Sequence, residues 1–220
     1  MALKNIFFDF DGVLAESVSA KTKAFREMYQ PYGTAIADKV VDYHINNGGI
    51  SRFEKFKYWE KTFFGKELDQ EEINKMADKF SNLVLEKVIE SKPVQESIWF
   101  LDKYYKKLRF WVITGTPTSE IKIIASKRNM AHFFEGLYGS PKNKRYWTEY
   151  LLEEYGLNRD ETLFLGDATT DMDAAQFSDL HFALRDNEEN EGLFKDYNGL
   201  RFRNFKELEN LLIDNKMLEQ

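Results

Sequence analysis

The sequence predicts an α/β fold, a doubly wound parallel sheet with an all-helical cap inserted after its first strand. Short apolar runs at residues 6–8, 110–113, 162–165 and 181–184 alternate with segments of helical period. Each of the first runs stops at a cluster of acids, threonines or glycines. Residues 15–92, in contrast, carry only helical patterns. Strands that alternate with helices form parallel sheets covered on both faces. The expected division is therefore a core of residues 1–14 and 93–220, with a helical segment, 15–92, set into it.

The elements follow in order. Ile6-Phe7-Phe8 reads as a buried strand that gives way to Asp9-Phe10-Asp11-Gly12. Val18, Ala24, Phe25 and Met28 set a helix over about 17–30, ended by Pro31. Thr34 starts a second helix that stops at Gly48-Gly49. Ser51 and Glu54, three apart, match a capping box for a third helix carrying Phe53, Phe56, Trp59 and Phe63. Asp69 opens a fourth, with Ile73, Ala77, Phe80, Val84 and Val88 on one stripe. Pro93 is expected to start a fifth, over about 94–107. Phe110–Ile113 is the second strand, ending in Thr114-Gly115, and a helix runs from there to about Met130. Gly136–Gly139 is the third strand, followed by a helix over 142–155. The fourth strand, 162–165, ends in Gly166-Asp167, and a helix begins near Thr170. Strands at 181–184 and 200–202 and a helix over 205–217 complete the chain.

Composition narrows the function classes. The net charge is −6, which argues against nucleic acid as a partner. There is no cysteine, so thiolate chemistry and thiolate metal sites are excluded. No apolar run approaches the ~20 residues that span a bilayer, and acids follow the N-terminus within ten residues. These features predict a cytoplasmic protein without a membrane partner, as a monomer or homodimer.

Polar residues gather where the strands end. In a doubly wound sheet those ends meet at one crevice. Asp9 and Asp11 follow the first strand, Thr114 and Gly115 the second, Lys142 and Lys144 the third, and Asp167 and Asp171 the fourth. Acids for a hard cation, a hydroxyl beside free amides, and a lysine together suit a phosphate bound beside Mg²⁺.

This ordered set resembles the four motifs of the haloacid dehalogenase superfamily: Asp9-Phe-Asp11-Gly-Val, Thr114-Gly115, Lys144 or Lys142, and Gly166-Asp167-Ala-Thr-Thr-Asp171. The block 15–92 is similar to that family's α-helical type 1 cap. The resemblance implies a Mg²⁺-dependent phosphatase acting on a small phosphorylated metabolite. Asp9 would be the nucleophile and would form an aspartyl phosphate, with Asp11 the general acid and base. Asp9, Asp11, Asp167 and Asp171 would hold the metal. Thr114, Gly115 and the lysine would hold the phosphoryl oxygens. Lys144 is the expected lysine, with Lys142 as its rival.

In the cap, the polar loop Asn46–Arg52 is a plain joint or a substrate-selecting loop, with Asn47 and Arg52 as its candidate contacts. His44 is expected at the surface, and Asp173 is expected as a surface or second-shell acid. Glu16-Ser17 and Lys21 stand where relatives usually carry Asp-Ser and His. The sugar phosphomutases of the family use that His, so Lys21 weakens a mutase assignment and is a candidate anion contact. The alternatives are therefore a phosphomutase, or a non-catalytic regulatory protein on the same fold.

Overall fold

All of Asn5–Phe8 is buried, and this run forms the sheet's inner strand. The computed structural model describes residues 2–219. Its strands are β1 (Asn5–Phe8), β2 (Arg109–Pro117), β3 (Gly136–Ser140), β4 (Thr162–Gly166), β5 (His181–Arg185) and β6 (Leu200–Phe202). They pair in parallel in the order β3-β2-β1-β4-β5-β6. The chain winds outward from β1 to β3, then returns to β4 on the other side of β1. The topological switch point therefore lies at β1, where such sheets bind ligands.

The helices are α1 (Val18–Tyr29), α2 (Thr34–Asn46), α3 (Arg52–Phe64), α4 (Gln70–Glu90), α5 (Ser97–Tyr104), α6 (Thr118–Lys127), α7 (Lys144–Glu154), α8 (Thr169–Phe177) and α9 (Phe205–Asp214). The first four occupy the predicted helical block. The chain leaves the sheet and returns to it at adjacent points. Val94 N–H donates to the Leu14 carbonyl at 3.1 Å, and Glu16 N–H to that of Lys92 at 2.9 Å. Arg128, just past α6, donates to the carbonyls of Val88, Ile89 and Ser91 at 2.7–2.9 Å. It thereby satisfies orphan acceptors at the C-terminus of α4.

Aromatic rings fill the space between α1, α3 and α4. Phe25 and Phe80 stack at 4.0 Å between centroids. Trp59 meets Phe25, Tyr29 and Phe56 edge-on at 5.0–6.0 Å and is fully buried. Its indole N–H has no acceptor.

Several expected boundaries move. Pro93 does not start a helix, because its backbone bridges Ala15; α5 begins only at Ser97, after Glu96 takes a left-handed conformation. The reciprocal capping box belongs to Asp69 and Glu72, not to Ser51 and Glu54. Ser51 accepts from Phe53 N–H instead, and Glu54 pairs with Lys57. Left-handed Asn129 and Lys216 lie just past the ends of α6 and α9, which stop at Lys127 and Asp214, short of Met130 and Met217. The helix expected from 142 starts at Lys144, since Asn143 caps it by accepting from Tyr146 N–H.

The Trp59 environment makes a test. Trp59→Ala should destabilise the protein by about 3–5 kcal/mol through the cavity it leaves. Trp59→Phe should cost much less, because a ring remains and an unsatisfied donor is removed. Urea midpoints measure both, and equal losses would contradict this account of the packing.

Candidate active site

Register places the site. Phe8, Val112 and Leu165 form one rung across β1, β2 and β4. Asp9 lies one residue beyond it, Thr114 and Asp167 two. Asp9 N–H still donates to the Leu165 carbonyl at 2.9 Å, so the first carboxylate is held against the end of β4. Asp9 Oδ1 accepts from Phe10 N–H at 2.7 Å. Gly12 has φ +80°, and any Cβ there would overlap the Asp167 carboxylate. This turn therefore requires glycine on two counts.

Lys144 Nζ lies 2.8 Å from Asp9 Oδ2 and 2.5 Å from Asp171 Oδ1. All three side chains are almost wholly buried. Capping at Asn143 puts Lys144 in the first turn of α7, facing the crevice. Lys142 lies outside that turn, exposed, with its ammonium 4.7 Å from the Tyr146 ring. Of the two candidate lysines, only Lys144 reaches the acids.

Asp9, Asp167 and Asp171 bring carboxylate oxygens within 4.8 Å of one another. Against them stands the single ammonium of Lys144, which leaves two negative charges in a buried place. Desolvation and the neighbouring Asp9 and Asp171 push the Asp167 carboxyl well above its ordinary value. Burial lifts Asp171 to about 7 despite Lys144. A divalent cation would remove this imbalance, and an all-oxygen donor set suits a hard one.

Asp11 is held differently. Burial would raise its carboxyl, but Lys21, Ser17 and Thr116 outweigh that and hold it below the usual range. Lys21, from α1, forms an ion pair with it. Ser17 Oγ donates to Asp11 Oδ1 at 2.6 Å and Thr116 Oγ1 to Oδ2 at 3.1 Å. Lys21 also donates to Thr116 Oγ1 at 2.7 Å. Thr114 is buried beside this group and, with Gly115, lines the cavity above Asp9.

The helical block closes that cavity. Gly49 has φ +77°, and a Cβ there would overlap Thr170 Oγ1 and lie 3.2 Å from Lys144 Nζ. Thr170 donates to the Gly48 carbonyl at 3.0 Å. The loop 47–50 thus rests directly on the strand ends. The cavity measures about 90 Å³.

The cap candidates are placed unequally. Lys21 touches Asp11 as described. Arg52 lines the cavity, but its guanidinium is already paired in bidentate fashion with Glu120 of α6, at 2.7 and 2.9 Å, and also donates to Ser81. Asn47 turns away and donates to the Tyr43 carbonyl. His44, expected at the surface, is buried, because its ring packs on Phe25 and meets Lys55. Asp173 is exposed and paired with Arg145.

Sequence reasoning missed a group beyond β5. Asn187 Nδ2 donates to Asp167 Oδ2 at 2.9 Å, and Asn190 Nδ2 to the Asp167 carbonyl at 2.8 Å. Arg185 forms a bidentate pair with Glu16. The one available signal was position, since β5 is the next strand to end at the same edge.

A model of haloacid dehalogenase-like hydrolases matches residues 6–184. A phosphoglycolate phosphatase of Photorhabdus laumondii is 26% identical over 181 residues, covering 79% of this chain and 76% of that protein. A phosphoglycolate phosphatase of Pasteurella multocida is 27% identical over 183 residues, covering 78% and 80%. In fold, the β-phosphoglucomutase of Clostridium difficile superposes with a TM-score of 0.75 at 18% identity, over 98% of this chain and 100% of that one.

Two outcomes test the charge balance. Lys144→Ala, which strands Asp9 and Asp171, should destabilise the metal-free protein by about 3–5 kcal/mol, whereas Lys142→Ala should leave its melting unchanged. The raised Asp171 value means that the native state holds a proton the unfolded chain releases. Its contribution to metal-free stability should therefore fall as pH rises from 3.8 toward about 7. Buried neutral His44 acts in the opposite sense near that range. The readout is thus the difference in slope between wild type and Asp171→Asn, and a divalent cation should abolish it.

Proposed function

This chain belongs to the haloacid dehalogenase-like hydrolases, and we propose that within that family it is a Mg²⁺-dependent phosphatase of a small phosphomonoester. One observation carries the reading. Asp9, Asp11, Thr114 and Asp167, from three strand ends, line a single cavity beneath the helical segment, and Lys144, at a helix start, reaches Asp9 at 2.8 Å. We take residues 15–92 as a cap over a core of 1–14 and 93–220.

Asp9 is the nucleophile. Its Oδ1 is fixed by the Phe10 amide and its Oδ2 by Lys144, so one face of the carboxylate is preset toward the cavity. Attack on phosphorus forms an aspartyl phosphate and expels the substrate's alkoxide, splitting one hard displacement into two easier ones. Asp11 protonates that oxygen, then takes a proton from the water that hydrolyses the acyl phosphate. The free carboxyl is held ionised by Lys21, Ser17 and Thr116, the form that the second step needs. An arriving phosphate dianion raises its proton affinity for the first step. Thr114 and the Gly115 amide receive phosphoryl oxygens, and Lys144 balances their charge. The carboxylates of Asp9, Asp167 and Asp171, with the Asp11 carbonyl, would hold Mg²⁺, which when bound offsets charge on the phosphoryl group. Asn187 and Asn190 keep Asp167 in place for this.

The cavity's volume favours a compact substrate, and the phosphoglycolate named for the two relatives is a first compound to try. The phosphomutase alternative rests on shared fold alone. Isomerisation of a sugar phosphate faster than phosphate release would reverse the choice.

Phosphate release from a panel of phosphomonoesters should require Mg²⁺, stop with EDTA and resume when the cation is restored. Asp9→Asn should lose turnover while keeping its far-ultraviolet spectrum. Asp11→Asn should lose about 10²–10⁴ in rate on poor leaving groups. Wild-type turnover by Asp9→Asn would end the nucleophile assignment.

A further inference from the structure

Three cationic side chains of the helical segment line the cavity: Lys21, Arg52 and Lys55. Two already have acids, Asp11 for Lys21 and Glu120 for Arg52. Lys55 has none among the described residues. It lies on α3, one turn after Arg52, and is only 1% exposed. Its Nζ meets His44 Nδ1 at 2.7 Å and stands 5.8 Å from the centre of the Phe25 ring.

An ammonium has three donors and no acceptor, and His44 uses only one of them. With Nδ1 accepting from Lys55, the neutral ring carries its proton on Nε2. That atom is buried and also lacks an acceptor. The Lys55–His44 pair thus offers spare donors and positive charge to the cavity that Asp9, Thr114 and Gly115 also line.

Packing alone does not account for Lys55. A methionine would fill similar space without the penalty of taking an ammonium out of water. That penalty is visible in the free protein, where burial, then Lys21 and Lys144, bring the Lys55 ammonium down to about 7. An incoming anion would remove it.

Resting on the phosphatase reading, we propose that Lys55, supported by His44, binds a second anionic group of the substrate and sets specificity for phosphomonoesters that carry one. The small cavity favours a carboxylate a few bonds from the phosphate ester. Arg52, by contrast, has its charge taken up by Glu120 and holds α3 and α4 to α6.

The test compares 2-phosphoglycolate with ethyl phosphate, which differs by lacking the carboxylate, in wild type and Lys55→Met. Wild type should favour phosphoglycolate in kcat/KM. The variant should lower that ratio roughly 10- to 100-fold, mainly through KM, the worth of one charge-assisted hydrogen bond. Thermal melting should show Lys55→Met folded and no less stable without ligand. His44→Ala, which leaves Lys55 in place, should lower the ratio by a smaller factor. An unchanged ratio in Lys55→Met, or a wild type with no preference, overturns the proposal while leaving the phosphatase reading intact. A wild type that releases phosphate from no compound of the panel with Mg²⁺ removes the phosphatase reading and this proposal with it.

Discussion

The Lys144 ammonium, wedged between Asp9 and Asp171, is the interaction on which the site depends. Three carboxylates crowd into a buried crevice because β1 and β4 end side by side and α8 starts just beyond β4. Such a cluster is unfavourable unless charge is compensated. Lys144 compensates part of it and fixes one oxygen of Asp9. Burial and the neighbouring acids leave Asp167 and Asp171 raised above their ordinary values. Strain of this electrostatic kind is what an active centre stores in its ligand-free state.

The two acids two residues apart end in different surroundings. Asp9 shares the metal-type cluster with Asp167 and Asp171. Asp11 points into a separate nest of Lys21, Ser17 and Thr116, two of them brought by the chain that leads into and forms α1. The helical block therefore reaches the polar groups at the strand ends directly. Its glycine loop lies on Thr170 and Gly115, its Lys21 tunes Asp11, and its Arg52 locks onto α6 through Glu120.

Several desolvated charges are satisfied in the same way. Half-buried Arg128 caps the end of α4, buried Arg185 pairs with Glu16, and buried Glu120 holds Arg52. Each of these has a partner of opposite sign or a set of carbonyls. Lys55 departs from that rule, and it does so in the cavity wall.

The sequence by itself determined the parallel sheet, the helical insertion and the acids at the strand ends. Apolar runs and helical stripes are local patterns, and Asp9, Asp11, Thr114 and Asp167 stand directly beside them. Boundaries set by partners distant in the chain were not legible. Pro93 lost its helix to a bridge with Ala15, and the box at Ser51 gave way to one at Asp69. Tertiary structure set Lys144, the lysine expected from the sequence, against Asp9 and Asp171, because it opens α7 while Lys142 lies before the Asn143 cap. It also brought in Asn187 and Asn190 from beyond β5, gave Arg52 an internal partner in Glu120, and buried His44 against Lys55. The Arg52–Glu120 pair joins residues 68 positions apart, and a charge in sequence carries no mark of which opposite charge will neutralise it.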